Sequence, residues 1–491
     1  MKNEHFNLTF DPWLPVLQGG KVRLAGIEEV LAKAHEIDRL EINSPLAEAA
    51  VTRLLLSILH RALGGPKDED EALDLFRRGK FPTEKIEKYL DRYRKRFYLF
   101  HPSNPFFQVP DLDRGGSLPW TKLLPERASG NNATLFDHSL DDEPPLATYG
   151  EAAMALLVHQ SFVPGGLLRR MGVGSARGGP LAAAAIFLPQ GRNLFETLVL
   201  NLVPYDPRAD EPIWEAKQLN AKAVEAYKTK WPQSGRTRVY TWPARAVLLI
   251  DDGDGVRRMA YGPGVDPQPA MHVDPMLAYA SSENGTPLPV RLRLDRAFWR
   301  DLETILPKPT SVGSVPLVLQ HARGIFKEIH GRRKSLPLRI VGQIPDQAKI
   351  LDARREVYPF PMDALDPKTA EMVRLAVARA EDVGQKLMET GRTMAREFFG
   401  TNESSALSKF VESLPLMRHY WSRLDVAFPT FLENFASNGA AALDDWKREV
   451  EYIAREAWDL SKQAVGLLGR HLRAIQQAEI RFGAVIWEAR R

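Results

Sequence analysis

Apolar and polar positions alternate at the start of the chain. Phe6, Leu8 and Phe10 are separated by Asn7 and Thr9, and the run stops at Asp11-Pro12. Trp13-Leu14-Pro15-Val16-Leu17 follows, then Gln18-Gly19-Gly20, and Val22 and Leu24 resume the alternation. Period two broken by paired glycines predicts short strands joined by a tight turn. The period then changes. Ser44-Pro45 supplies an N-cap and a first-turn proline, and Leu46, Ala50, Leu54, Leu55, Ile58 and Leu59 form one apolar face ending at Gly64-Gly65. That pattern predicts a helix with both ends marked. Residues 66–97 predict two more helices rich in surface charge.

Beyond residue 98 proline, glycine and asparagine accumulate and periodicity fades until about 145. Residues 150–202 predict mainly helix around a glycine-rich interruption. From 235 to 300, short β-branched runs such as Arg238-Val239-Tyr240-Thr241 and Val247-Leu248-Leu249-Ile250 alternate with Asp/Gly turns, which predicts antiparallel strands. After Asp366-Pro367 the pattern is helical again. Met372, Leu375, Ala376, Ala380, Val383 and Leu387 mark one helix, closed by Gly400. Trp446, Val450, Ile453, Ala457, Leu460 and Ala464 mark another with i, i+3/i+4 spacing. A helical stretch from Ser404 to about Phe435, bent at Pro429, lies between them, and a last helix runs from about His471 to Glu488. The expected fold class is therefore α+β: an irregular mixed domain over residues 1–363 with long loops, then a four-helix bundle over 364–491.

Composition narrows the chemistry. The 491 residues exceed what one core usually organises, consistent with two domains. A net charge of +4 permits a nucleic-acid partner without requiring one. The chain has no cysteine, so disulfides, thiolate metal sites and cysteine nucleophiles are excluded, leaving only His/Asp/Glu for any metal. Met1-Lys2-Asn3-Glu4-His5 is not followed by an apolar segment, and the longest apolar run, Leu181–Leu188, is far too short for a membrane span. A cytoplasmic bacterial or archaeal protein without membrane attachment is the expectation.

Two loops carry the candidate chemistry. One runs from Ser129 to His138 and contains Asn132, Phe136 and His138; the other holds Pro164-Gly165-Gly166, Arg169-Arg170, and Gly172-Val173-Gly174 through Arg177-Gly178-Gly179-Pro180. Glycines among arginines let a backbone approach a polyanion and set charge beside it. Gly165-Gly166 equally reads as a helix terminator, and the three arginines as a solvated surface. Gly172-x-Gly174 with Gly178-Gly179 departs from G-x-G-x-x-G and lacks a clear preceding strand, so a nucleotide loop is disfavoured.

At this point the residues resemble a family. Phe6-Asn7-Leu8 with Asp11-Pro12-Trp13-Leu14-Pro15-Val16, the helix from Pro45, His101-Pro102 through Pro105-Phe106-Phe107-Gln108, Ala133-Thr134-Leu135-Phe136-Asp137-His138, and Gly191-Arg192-Asn193-Leu194-Phe195-Glu196-Thr197 resemble the large subunit of the type I-E CRISPR surveillance complex, Cascade. The likeness spans essentially the whole chain. It implies a non-catalytic subunit without cofactor or metal, whose partners are the other Cascade subunits, the 5′ handle of the guide RNA, target double-stranded DNA and a helicase-nuclease. By position, Gly165-Gly166 resembles the loop that reads a protospacer-adjacent motif (PAM) from the minor groove, where the hydrogen-bonding code is degenerate. Gln347, in Pro345-Asp346-Gln347-Ala348-Lys349, resembles the family's glutamine wedge, and Asp352, Arg354 and Arg355 follow in the family's order. An amide is uncharged and flat enough to enter a base stack. An ordinary surface glutamine is the plain alternative. The resemblance also implies that Phe136 stacks on a displaced RNA base with Asn132 and His138 as donors, against a reading of Phe136 as core. Arg169, Arg170, Arg177 and Lys349 are the expected phosphate contacts.

Two departures stand out. The segment Ala260–Pro275 contains no lysine where some relatives place one in the groove, leaving Arg257 and Arg258 as the nearest upstream cations. A cysteine-based zinc knuckle is also missing. Two other classes compete with the resemblance: an enzyme with a glycine-rich anion site and His/Asp acid-base chemistry, and a helical scaffold that binds only protein. His60, His101, His138, His159 and His272 lack metal-ligand spacing, which counts against the enzyme.

Overall fold

The computed structural model describes residues 4–125, 143–233, 235–270, 273–281, 287–307, 315–329, 335–346, 349–400, 402–466 and 469–489. The chain divides into two compact units. The first comprises Met1–Leu294, Val315–Gly331 and Pro337–Val357, and the second Asp295–Ser314, Arg332–Leu336 and Tyr358–Arg491.

The first unit is mixed α and β, as its alternating periods predict. Strands β1 (Leu14–Gln18) and β2 (Lys21–Ala25) pair antiparallel with Gln18 opposite Lys21, so Gly19-Gly20 forms the expected two-residue turn. Helix α1 (Pro45–Leu63) begins at the Ser44 cap, whose hydroxyl accepts from the Ala47 N–H at 3.4 Å, and ends at Gly64 in the left-handed conformation. Its sequence shows one apolar face, yet residues Leu46 through His60 are all buried. A helix covered all round is a core element rather than a surface one. It packs against α2 (Thr83–Tyr93), α3 (Tyr149–Phe162), α4 (Leu194–Asn201) and α5 (Arg236–Tyr240).

Two expectations fail in this unit. The glycine-rich interruption is a hairpin, not a break between helices: after α3, strands β3 (Gly166–Arg170) and β4 (Val173–Ala176) pair, with Gly166 opposite Ala176 and a register shift before Arg170. Arg238–Thr241 is not a strand, because α5 occupies it. The Asp210 carboxylate accepts from the Thr237 and Arg238 N–H groups at 2.6 and 3.2 Å, capping that helix from a distant part of the chain. The Val247–Ile250 strand is present within β6 (Arg245–Asp251), paired antiparallel with β7 (Val256–Pro263). Strands β8 (Ser335–Asp346) and β9 (Lys349–Pro361) are neighbours in a three-stranded sheet completed by Ile186–Pro189, with Leu338 opposite Pro189.

The second unit is helical. Helix α6 (Pro367–Phe399) starts at the Asp366 cap and closes at Gly400, as its sequence predicts. The stretch expected to be one helix bent at Pro429 is instead two, α7 (Ser404–Ser413) and α8 (Leu416–Ser437), broken at Leu414-Pro415, and Pro429 lies inside α8. Helices α9 (Gly439–Val465) and α10 (Arg470–Ala489) complete the set. Its core is aromatic. Trp299 stacks on Phe428 with ring centroids 4.5 Å apart and donates its indole N–H to Asp425 at 2.7 Å. The Trp446 indole donates to the Ala376 carbonyl at 2.8 Å, so both of these buried indoles have their N–H satisfied.

Candidate nucleic-acid interface

The glycine-rich hairpin is bare on its outer side and tied down beneath. Gly165 is exposed, and Leu167 beside it is 78% exposed. Gly166 has φ 149°, a conformation side chains oppose. A Cβ on Gly165 would meet the Gly178 nitrogen at 3.1 Å and the Ala176 carbonyl at 3.3 Å; one on Gly179 would meet the Ser161 carbonyl at 2.6 Å. Close backbone approach therefore accounts for the glycines flanking the hairpin, independently of any ligand.

Below the loop lies Arg245, 4% exposed. Its Nη1 donates to the carbonyls of Arg177 and Ala244, each at 2.7 Å, and its Nη2 to that of Pro164 at 2.9 Å. One guanidinium thus joins the two ends of the glycine segment. Gln343 repeats the device from β8. Fully buried, it donates from Nε2 to the carbonyls of Phe162 at 2.6 Å and Ala182 at 2.8 Å, again on either side of the loop.

A cleft of about 340 Å³ opens against this segment, lined by Pro164 through Leu168, Arg170, Lys122, His159, Arg245, Tyr261 and Ile350 among others. Its ionisable lining is Lys122, Arg170, Arg245, His159 and Tyr261, with no carboxylate among the described residues. His159 is neutral here. Burial, then the nearby Arg245 charge, lowers its pKa from 6.5 to about 3. Nδ1 donates to the Leu123 carbonyl at 3.2 Å, so Nε2 accepts from the Tyr261 hydroxyl at 2.8 Å. Burial also pushes the Tyr261 phenol upward, which keeps it a neutral donor. The cleft's positive potential therefore comes from its arginines and lysine.

The remaining sequence candidates are distributed unevenly. Arg169 is exposed with φ 49°, and Arg170 donates to the Gly116 carbonyl at 3.2 Å while lining the cleft. Arg177 is largely exposed but pairs with Asp266 at 3.2 Å, so its charge is partly engaged within the protein. Lys349 is exposed at the start of β9. Gln347, between β8 and β9, and Asn132, Phe136 and His138 lie outside the described residues. Gly172 and Gly174 sit in and beside the hairpin turn rather than between a strand and a helix, which removes the nucleotide-loop reading. Sequence reasoning missed Arg245, Gln343, Tyr261 and Lys122. Arg245 and Gln343 bond to residues 68 to 181 positions away, and no local pattern encodes such partners.

The hairpin β8–β9 is anchored to α1. Glu48, 4% exposed, pairs through Oε1 with Arg339 of β8. Its Oε2 lies 2.7 Å from Arg355 Nη2 of β9 as an ion pair, and the same Nη2 donates to the Ile42 carbonyl at 2.8 Å. Among the described residues no group of three or more His, Asp or Glu side chains is arranged to hold a metal, and no helix is long and apolar enough to cross a membrane.

Comparison with known proteins decides the family. Residues 7–457 match the model of CRISPR-associated protein Cse1. The chain belongs to the Cse1 (CasA) family. It is 50% identical to CRISPR-associated protein CasA/Cse1 of Thermus thermophilus, covering 99% of this chain and 98% of that one. The solved structure of Thermus thermophilus CasA (Cse1) superposes with a TM-score of 0.90 at 48% identity, over 99% of this chain and 100% of that one. A chain of a CRISPR RNA-guided surveillance complex shares the fold at a TM-score of 0.77 and 23% identity, over 97% and 99% of the two chains. Membership of the Cse1 family fits the two-unit architecture, with mixed α and β in the first unit and helices in the second.

Proposed function

We propose that this Cse1 chain is the non-catalytic large subunit of a type I-E RNA-guided complex. In this reading it reads the PAM on double-stranded DNA and begins strand separation beside it. Its partners are the other Cascade subunits, the guide RNA handle and a helicase-nuclease. The observation that carries this is one cleft without acidic lining among the described residues, shared by the exposed Gly165, the half-buried Gly166 and Ile350, three residues after Gln347. Gln343 supports it further, tying the strand that leads to Gln347 to both ends of the glycine segment. A side-chain-poor edge suits the narrow minor groove, and cations around it suit the phosphates on either side. Gln347, which follows β8 in the sequence, is the wedge in this assignment, and Arg169, Arg170, Arg177 and Lys349 are the flanking cations. Asn132, Phe136 and His138 are assigned by the resemblance to the RNA handle.

The test is duplex opening by the reconstituted complex. Gln347→Ala leaves assembly with guide RNA intact and slows opening of a matched duplex, but not of one already mismatched at the first step beside the PAM. Equal loss on both substrates removes the wedge. Gly165→Val with Gly166→Val weakens discrimination between PAM-bearing and PAM-less duplex; unchanged discrimination by a folded double variant removes the loop.

A further inference from the structure

The glycine segment separates the cleft from a second cavity. This one, of about 260 Å³, is lined by Gly178-Gly179-Pro180, Arg236, Tyr240, Trp242, Asp274 and Tyr279 among others, with Val239 beside them. Backbone of the glycine segment borders both spaces. A Cβ on Gly178 would stand 3.2 Å from the Gly165 nitrogen and 3.4 Å from the Val163 carbonyl, so the segment bordering one space touches the segment bordering the other.

The cavity walls are aromatic and already fixed. Tyr240 is covered by the Arg53 guanidinium at 4.1 Å, and Arg53 in turn lies 2.9 Å from Asp274. Asp274 accepts from the Met276 N–H at 3.0 Å, and its own N–H donates to the Tyr279 hydroxyl at 3.1 Å. Arg236 lies over Tyr205 at 4.5 Å and donates to the Val203 carbonyl. Trp242 meets Trp231 edge-on at 6.3 Å. A preformed space with three aromatic residues, one cation and one carboxylate suits a planar, neutral, hydrogen-bonding ring. The carboxylate disfavours a phosphate. The volume lies below the roughly 300 Å³ at which drug-sized sites begin, which fits one base rather than several.

Resting on the PAM-reading function above, we propose that this cavity captures one unpaired base of the displaced DNA strand. Opening a duplex in the cleft leaves that strand with unstacked bases. A pocket bordered by the same glycine segment gives one of them a stacking surface and so opposes reclosure. Base–aromatic stacking is strong enough to change occupancy about tenfold or more.

The experiment scans 2-aminopurine along the displaced strand in the intact complex with guide RNA. One position near the PAM stays quenched on opening while its neighbours brighten. Val239→Trp, which fills the rim, relieves that quenching and speeds reclosure about tenfold. An abasic nucleotide at the quenched position gives wild-type complex the same loss, and adding Val239→Trp then changes nothing further. The abasic arm needs no altered protein, so a misfolded variant does not shield the proposal. If wild-type complex opens the duplex normally but every displaced-strand position brightens, or the only quenched probe is in the guide RNA, the pocket proposal is wrong and PAM reading stands. If it opens no PAM-bearing duplex at all, the underlying function is wrong.

Discussion

Replacing Glu48 by Gln tests whether one buried carboxylate holds the β8–β9 hairpin in place. The substitution keeps side-chain volume and removes the charge that Arg339 and Arg355 share, one arginine from each strand. Breaking a fully buried ion pair costs about 3–5 kcal/mol. The arginine side chains are 20% and 30% exposed, so each regains some water when its partner is lost. Arg355 also keeps its bond to the Ile42 carbonyl. Those two considerations reduce the expectation to about 2–3 kcal/mol for local opening of the hairpin. In native-state hydrogen exchange, amides of residues 337–357 should then exchange about 30- to 150-fold faster, since about 1.4 kcal/mol is tenfold. Amides of α6 and α9 should keep their parental rates. Hairpin rates unchanged in a folded variant would refute the anchoring argument. Equal acceleration of α6 and α9 would refute its locality.

Other expectations follow from single contacts. Arg245→Met removes the donor from the Pro164 and Arg177 carbonyls and should destabilise the first unit by about 3 kcal/mol, with new proteolytic cuts mapped by mass spectrometry between residues 163 and 179. His159 is neutral in the fold with a pKa of about 3, whereas the unfolded chain binds its proton near 6.5. Its contribution is therefore complete above pH 6.5 and lost as pH falls toward 3, by about 1.4 kcal/mol per unit. In denaturation series at pH 6, 5 and 4, His159→Gln should show a stability deficit against the parent that shrinks by that amount per unit. Gly384→Ala places a Cβ 2.6 Å from Trp421 Cζ2 and should lower bundle stability by about 1–3 kcal/mol in thermal melts, while Gly174→Ala, with nothing within 4 Å, should melt like the parent.

Local signals were readable where the deciding atoms lie close in sequence. Ser44-Pro45 and Gly64 bound α1, Asp366-Pro367 and Gly400 bound α6, and Gly19-Gly20 turns β1 into β2, because caps and turns are satisfied within a few residues. The reading failed where the deciding partner is remote. Arg238-Val239-Tyr240-Thr241 has strand propensity, yet Asp210 caps it as helix. The stretch expected as one helix breaks at Leu414-Pro415, while Pro429 is held within α8, whose buried Phe428 and Phe431 pack against Trp446. Tertiary burial there outweighs one lost hydrogen bond. In the candidate site, the glycines announced themselves but their supports did not. Nothing around Arg245 or Gln343 in the sequence tells a buried staple from an ordinary polar residue.

Those supports matter more to the proposed reading than the exposed residues do. A loop that presents backbone to a groove offers few side-chain contacts, so ordering itself on binding would consume much of what those contacts supply. The geometry avoids that demand. Arg245 and Gln343 fix the carbonyls of Phe162, Pro164, Arg177 and Ala182 from within, while Gly165 and Leu167 remain uncovered outside. Buried hydrogen bonds set the loop's shape, and glycine at φ 149° leaves its surface unobstructed. It follows that changes beneath the loop should impair discrimination even where every exposed residue is intact. Altering exposed arginines alone should instead weaken binding to all duplexes alike and flatten its salt dependence.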